Sequence, residues 1–254
     1  MKSNLTPLAF VVLGIVGYAI FLAAQMPASA LLAAAQRAEP GKFDVREAGG
    51  SAWRGNAKLT LHAPGGDVAI DRLEWRWRPA RLLAGRMAFD VTAAASGLEA
   101  AYEGARSLTR WEVRDAKARA SAAALAALAP WIAPWRPEGE VTLTSPRLES
   151  DGRELRGAVR VEWKGAAVAL SDVKPLGSYR ADIDMQGPGA GVSVTTLDGP
   201  LRVSGKGTLA PPGRVTFAGE ARGEGAAAAA LAPLLKLMGA PRADGAHAID
   251  WRAP

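Results

Sequence analysis

His62 and His247 are the only imidazoles in the chain, and cysteine is absent. An imidazole can act as a general base or a metal ligand. Neither histidine belongs to an H-x-x-x-H pair of the kind that sets two zinc ligands on one helix face. His62 falls on the polar side of an alternating segment and His247 near the C-terminus, so both read as solvated surface residues. Without cysteine there is no thiolate zinc site, no cysteine nucleophile and no disulfide. Asp182 and Asp184 flank Ile183 and share one side of a strand. Such a carboxylate pair can do acid–base work, yet on an exposed strand it is ordinary solubilising charge. Ser51, Ser96 and Ser204 lack the G-x-S-x-G elbow of a serine hydrolase. Gly199–Gly207 (GPLRVSGKG) holds a Gly-Lys pair, but it has neither the Ser/Thr nor the spacing of a phosphate loop and lies among strands. No catalytic, cofactor-binding or metal residue is assigned, and the chain reads as a non-enzyme.

Contact is better represented than chemistry. Tryptophan occurs 8 times, against 5 Phe and 3 Tyr, and large aromatics dominate cores and interfaces. Trp53, Trp75, Trp77, Trp111, Trp163 and Trp251 fit core positions. Trp131 and Trp135 lie in Pro130–Trp135 (PWIAPW), an irregular Pro-flanked loop that would struggle to bury both. With Leu201 they are the candidate partner contacts. The formal charge is +6. It could serve anionic lipid heads, glycans or an acidic partner, but biased composition over solvated strand faces also accounts for it. No Lys/Arg block marks nucleic-acid binding, and no nucleic-acid partner is expected.

The elements that must position these residues read mostly as strands. In Ala57–His62 (AKLTLH) alanine and leucine alternate with Lys, Thr and His, the period of a half-buried strand. Val68 and Ile70 begin another strand after the Pro64–Asp67 turn. The alternation changes phase near Asp71-Arg72, so that Leu73, Trp75 and Trp77 share a face, which predicts a bulge. Similar alternation recurs at Met87–Val91, Trp111–Val113, Val141–Leu143, Val159–Trp163, Ala181–Met185, Val192–Val194, Leu201–Val203 and Val215–Phe217. Gly and Pro punctuate the strands. This pattern predicts a mainly β fold: a largely antiparallel, curved sheet with one face buried, as an open roll or partial barrel. Ser121–Leu128 and Ala226–Met238 are strong helix formers, the second kinked or split at Pro233. A weak echo between Leu73–Val91 and Val161–Met185 suggests two related halves, 41–137 and 138–254, within one sheet.

Ahead of the strands lies Leu8–Ala24, an apolar run without charge. Extended to roughly 22 residues it spans about 33 Å, enough for a hydrocarbon core of about 30 Å. Leu8, Phe10, Val12, Leu13, Ile15, Val16, Ile20, Phe21 and Leu22 form the predicted membrane anchor. Lys2 precedes the run and no charge follows until Arg37, which favours a cytoplasmic N-terminus and an external body. The alternative is a cleaved signal peptide, because Ala28-Ser29-Ala30 resembles an A-x-A site; the run is longer than a usual h-region. The expected organisation is an anchor over 1–30, a short stalk or helix extension over 31–40, and a β domain over 41–254.

Several short motifs, in order, resemble one family. They are Gly50–Ala57 (GSAWRGNA), Trp75 with Pro79 and Leu82–Met87 (LLAGRM), and Pro175–Tyr179 (PLGSY). Thr196–Leu201 (TLDGPL), with Gly205 and Gly207, and Phe217–Ala221 (FAGEA) complete the set. Over nearly the whole chain the sequence is similar to protein N of the type II secretion system of Gram-negative bacteria. The resemblance implies a single-pass inner-membrane protein with a periplasmic body, accessory to the secretion machinery and without known catalysis. Its partners would be other inner-membrane or periplasmic subunits. It transfers no site residue and no cofactor.

Two readings follow. In the first, the anchor tethers a rigid β body, and strand edges or Trp-bearing loops bind other subunits for assembly or scaffolding. In the second, the body is an AsmA-like lipid-handling module, with Leu59, Leu61, Leu73, Trp75, Val159, Val161 and Ile183 lining an acyl-chain groove. What separates them is whether helices cover the apolar face. The assembly reading is preferred.

Overall fold

A computed structural model describes residues 5–63, 66–107, 109–129, 132–210 and 214–253. Two helices come first, α1 (Leu5–Ala24) and α2 (Ala28–Ala38), followed by β1 (Phe43–Gly50), β2 (Arg54–Ala63) and β3 (Gly66–Trp77). Next are β4 (Met87–Ala95), β5 (Leu98–Arg106), β6 (Trp111–Ser121) and α3 (Ala122–Leu128). The chain continues through β7 (Glu138–Ser150), β8 (Leu155–Ala167), β9 (Gly177–Gly187), β10 (Ala190–Asp198), β11 (Leu201–Ala210) and β12 (Arg214–Gly223). It finishes with α4 (Ala228–Met238), β13 (Ala240–Pro241) and β14 (His247–Ala253).

All the described strands belong to one sheet of 14, antiparallel throughout. Neighbours in sequence are neighbours in space, except that β14 pairs with β12 and carries the two-residue β13 on its outer side. The mainly β, antiparallel, open architecture is the one the alternation predicts. The phase change near Asp71-Arg72 is a real irregularity, for the β3–β4 register shifts between Ile70 and Arg72. Further shifts at Val45/Glu47, Ala57/Leu59 and Ala101/Glu103 accompany it; extra residues of this kind bend a sheet. The ladder runs unbroken across residue 138, with β7 paired to both β6 and β8.

One face of the sheet is predominantly apolar along its length. Val45 opposes Leu59, Trp75 opposes Val91, and Leu143 opposes Val161. Ile183 then opposes Val192, and Phe217 opposes Trp251. Helices cover parts of this face. α2 lays Ala28 and Leu32 on Ala57 and Trp75, with Val45, Leu73, Phe89 and Val91 around them. Residues 31–40 were expected as a stalk or an extension of the anchor; they lie mostly in this docked helix. The turn at Gln25–Pro27 separates it from α1, because Pro27 sits in an extended conformation (φ −72°, ψ 152°) and cannot continue a helix. α4 covers the other flank, packing Leu231, Leu234 and Leu235 onto Leu201 and Ala221, beside Val168 and Leu176 from the β8–β9 connection.

The two predicted helical segments are α3 and α4. Ser121 caps α3, its Oγ accepting from the Ala124 amide at 3.1 Å. α4 runs through Pro233 as a single helix after a 3₁₀ turn at Gly225–Ala227. Pro233 is tolerated because it lies on the exposed side with Ala229, whose carbonyl loses its partner to water instead of to a dry core.

α1 is 20 residues long, and its side chains are described only at 11–15, 17–18 and 21–24. Among the described residues no helix is long and apolar enough to cross a membrane. Val12, Leu13, Ile15, Phe21 and Leu22 are exposed; the side chains of Leu8, Phe10, Val16 and Ile20 lie outside the described residues.

Candidate interaction surface

The N-terminal helices are seated on the motif Ser51–Gly55. The Trp53 Nε1–H donates to the Ala23 carbonyl at 2.8 Å, and the Ala52 amide donates to the Met26 carbonyl at 2.8 Å. Pro27 bridges to Ser51. Trp53 packs on Trp77 with ring centroids 4.8 Å apart. Buried Trp75 donates from Nε1 to the Ala52 carbonyl at 3.0 Å. Its ring lies directly over Gly55, where a Cβ would strike the indole. The motif therefore joins α1 to the sheet through three tryptophans.

This junction defines a proximal end of the sheet. β1, β3, β5, β7, β9, β11 and β14 finish there, and the even strands from β2 to β12 begin there. The covering elements beyond α2 lie toward the distal end. α3 follows the distal end of β6, and α4 follows that of β12. At the proximal end of the apolar face, large side chains meet solvent instead: Met87, Trp111, Leu209 and Trp251, with Tyr102 further in. Trp251 is 57% exposed although its neighbour Phe217 is half-buried. β13 pairs only with Ala248 and His247. Among the described residues, Ile249–Ala253 therefore presents an outer backbone edge without a neighbouring strand, and Trp251 stands on it. Such an edge is a template for another strand.

The predicted contact residues separate. Trp131 lies outside the described residues. Trp135 is 51% exposed, in a 3₁₀ turn (Ala133–Trp135) whose Trp135 carbonyl accepts from the Ala169 amide at 2.9 Å. Leu201, expected as exposed, is buried. It is 4% exposed and lies beneath Leu231, Leu234 and Leu235. It opens β11 on the apolar face, and α4 returns to that face some thirty residues later. Of the proposed groove residues, Leu59, Trp75 and Val159 are buried, Leu73, Val161 and Ile183 half-buried, and Leu61 exposed. Trp111 and Trp251 are missed by a reading that takes strand tryptophans as core. Their positions at the first residue of β6 and near the end of the last strand are the available signal.

The opposite face is polar and tied across strands by ion pairs, such as Arg160 with Asp182 at 2.7 Å and Arg180 with Glu162 at 2.8 Å. Asp182 and Asp184 do share this face; the first is paired with Arg160, and the second accepts from Gln186. The densest network lies near the proximal end. Glu112, only 7% exposed, meets Arg114 and Arg147 at 2.6 Å each and Arg86 at 2.9 Å. Buried Glu103 meets Arg81 at 3.0 Å. Burial opposes ionisation of Glu112, but the Arg114 hydrogen bond and the charges of Arg114, Arg147 and Arg86 outweigh it. Its pKa is held below the usual carboxylate range.

His62 lies between Asp67 at 2.7 Å and Asp44 at 3.1 Å. Hydrogen bonds to Asp67 and then Asp44 raise its pKa. Both ring nitrogens are engaged, which leaves no lone pair for a metal or a substrate proton. His247 Nδ1 is buried without a hydrogen-bond partner among the described residues. No described group of His, Asp and Glu could hold a metal ion.

The described residues thus form a single antiparallel sheet with helices packed on its apolar face and a polar, ion-paired reverse. Residues 42–250 match the family model of the type II secretion system (T2SS) protein N, and the chain belongs to that family. Membership points to a role in type II secretion and to interaction with other components of that system. No curated protein and no solved structure matches the chain.

Proposed function

We propose that this protein is a non-catalytic, inner-membrane-anchored component that supports assembly of the type II secretion machinery through contacts of its periplasmic β body. The observation that carries the proposal is the set of large side chains left uncovered at the proximal end of the apolar face, Met87, Trp111, Leu209 and Trp251, the last on the open edge of β14. A partner strand added to Ile249–Ala253 would gain main-chain hydrogen bonds, and Trp251 would supply an aromatic anchor. The anchor reading is supported by the uncharged sequence of α1 and by its attachment to the body through Trp53. Placing the body outside the cytoplasm rests on Lys2 and on the absence of charge from residue 3 to residue 36.

The test is photocrosslinking in cells with a photoreactive residue at Trp111, Trp135 or Trp251, and at Leu237 on the solvent side of α4 as a control. Capture of other secretion subunits from Trp111 or Trp251 but not from Leu237 is the expected result. Equal capture from all positions, or none, defeats the contact surface. A reporter active only outside the cytoplasm, fused after Pro254, checks the topology and should be active. The lipid-handling reading draws on the same side chains, because the apolar face is only partly covered. Stoichiometric phospholipid in an organic extract of the purified protein would favour it.

A further inference from the structure

The connection between β3 and β4 carries two leucines toward solvent. Pro79–Ala84 is a 3₁₀ turn; Leu82 is half-exposed and Leu83 is 94% exposed. Backbone hydrogen bonds and ion pairs hold this turn. Gly85, in the left-handed region (φ 67°), returns its amide to the Leu82 carbonyl at 2.8 Å, and the Arg86 amide reaches the Arg81 carbonyl at 3.1 Å. Arg81 is tied to buried Glu103, Arg86 to buried Glu112, and Arg78 to Asp90 at 2.8 Å. Ion pairs on both sides thus clamp the turn and present the leucine pair at a set position.

The turn follows the end of β3, and it is that strand end which borders the exit of α1. Trp77, two residues before Pro79, packs on Trp53 and donates its amide to the Trp53 carbonyl at 2.6 Å. Trp53 in turn holds the last turn of α1 at Ala23. Two strands further along the same sheet end, Arg106 and Arg110 are exposed and have no ion-pair partner among the described residues. On the apolar face Arg106 stands directly between Met87 and Trp111.

We propose that Pro79–Ala84 is a second membrane contact. It seats Leu82 and Leu83 in the headgroup region of the leaflet from which α1 emerges, with Arg110 facing anionic lipid phosphates. The inference rests on α1 being a membrane anchor. Leucines inserted a few ångströms with cations beside them are how interfacial segments bind anionic membranes. One contact beside a transmembrane helix would limit the tilt of the body, so that the uncovered side chains at the proximal strand ends keep a fixed orientation toward membrane-bound partners.

The chain has no cysteine, so single-cysteine variants of the full-length protein can each carry one environment-sensitive fluorophore. Leu83→Cys, Leu22→Cys in α1 and Leu237→Cys on α4 are reconstituted in vesicles of phosphatidylcholine with phosphatidylglycerol. Lipid spin-labelled at the headgroup serves as quencher. The Leu83 label should be quenched, as expected for a side chain at the headgroup boundary, and less so in vesicles of phosphatidylcholine alone. The Leu237 label should be unchanged. If Leu83 behaves like Leu237 while acyl-chain spin labels quench Leu22, the second contact is overturned and the anchor stands. If Leu22 also escapes quenching, both readings fall. Protection of Leu83 that appears only when another protein is added would assign the turn to a protein partner and overturn the lipid contact.

Discussion

At the distal ends of its strands the apolar face of this sheet lies under α4 and the β8–β9 connection, whereas at the proximal ends the same face carries Met87, Trp111, Leu209 and Trp251 into solvent. The residues at the two ends follow one alternation and belong to the same ladders. Phe217 and Ala221 lie on one strand and one face; Ala221 is fully buried beneath Leu231, and Phe217 pairs with exposed Trp251. The difference is cover, not composition. A covered apolar residue works for stability and an uncovered one is available for contact, so substitutions at the two ends should separate these roles.

The largest effect is expected beneath α4. Leu231 is fully buried among Leu234, Leu235, Leu201 and Ala221. Leu231→Ala should lower unfolding free energy by about 3–5 kcal/mol, lost transfer energy plus a cavity that the rigid sheet cannot close. Denaturant titration measures it. A loss below about 1 kcal/mol would mean that α4 does not hold the distal end closed, and the comparison would collapse.

An intermediate effect belongs to the polar face. Glu112→Gln removes the anion shared by Arg86, Arg114 and Arg147. The arginines keep some contact with water, so the cost at neutral pH should be about 2–3 kcal/mol, below that of stranding fully buried charges. Because the folded-state pKa of Glu112 is depressed, its contribution is full above the ordinary carboxylate pKa of about 4.3. It is lost as pH falls through the lower folded value. The stability gap between the native chain and Glu112→Gln should therefore shrink on acidification. A gap independent of pH would show that Glu112 acts by packing and not by charge.

Local features of this fold were open to reading in the sequence, and returning ones were not. The bulge at Asp71-Arg72 changes the alternation within one strand, and the helix-forming composition of α3 and α4 lies inside their own segments. So does the buried face of Trp75. Leu201 differs because its cover arrives from α4, and α2 differs because an alanine-rich stretch carries little sign of what it will meet. Burial of Leu32 depends on Ala57 and Trp75, brought there by two hairpins. Trp111 and Trp251 have strand periodicity, which fixes a face but says nothing about whether a helix returns to it. The ion-paired clamp on the Pro79–Ala84 turn joins residues from β4, β5, β6 and β7, and no spacing along the chain announces it.

The smallest stability effect should accompany the largest effect on association. Trp251 lies at the proximal end of β14, 57% exposed, where no helix packs and the outer edge of the strand is open. Trp251→Ala removes little buried area and leaves no cavity, so unfolding free energy should change by less than about 1 kcal/mol. If the uncovered proximal end is a docking surface, the same variant should lose crosslinks to secretion subunits. A truncated aromatic hot spot costs about 2 kcal/mol or more of binding, which is more than a tenfold loss of affinity. Leu237→Ala, at a still more exposed position on the outer side of α4, should change neither quantity. If Trp251→Ala destabilises the chain as much as Leu231→Ala does, the proximal end is core after all. If it changes neither stability nor association, cover alone does not identify the contact surface, and Trp111, at the same proximal end, becomes the position to test.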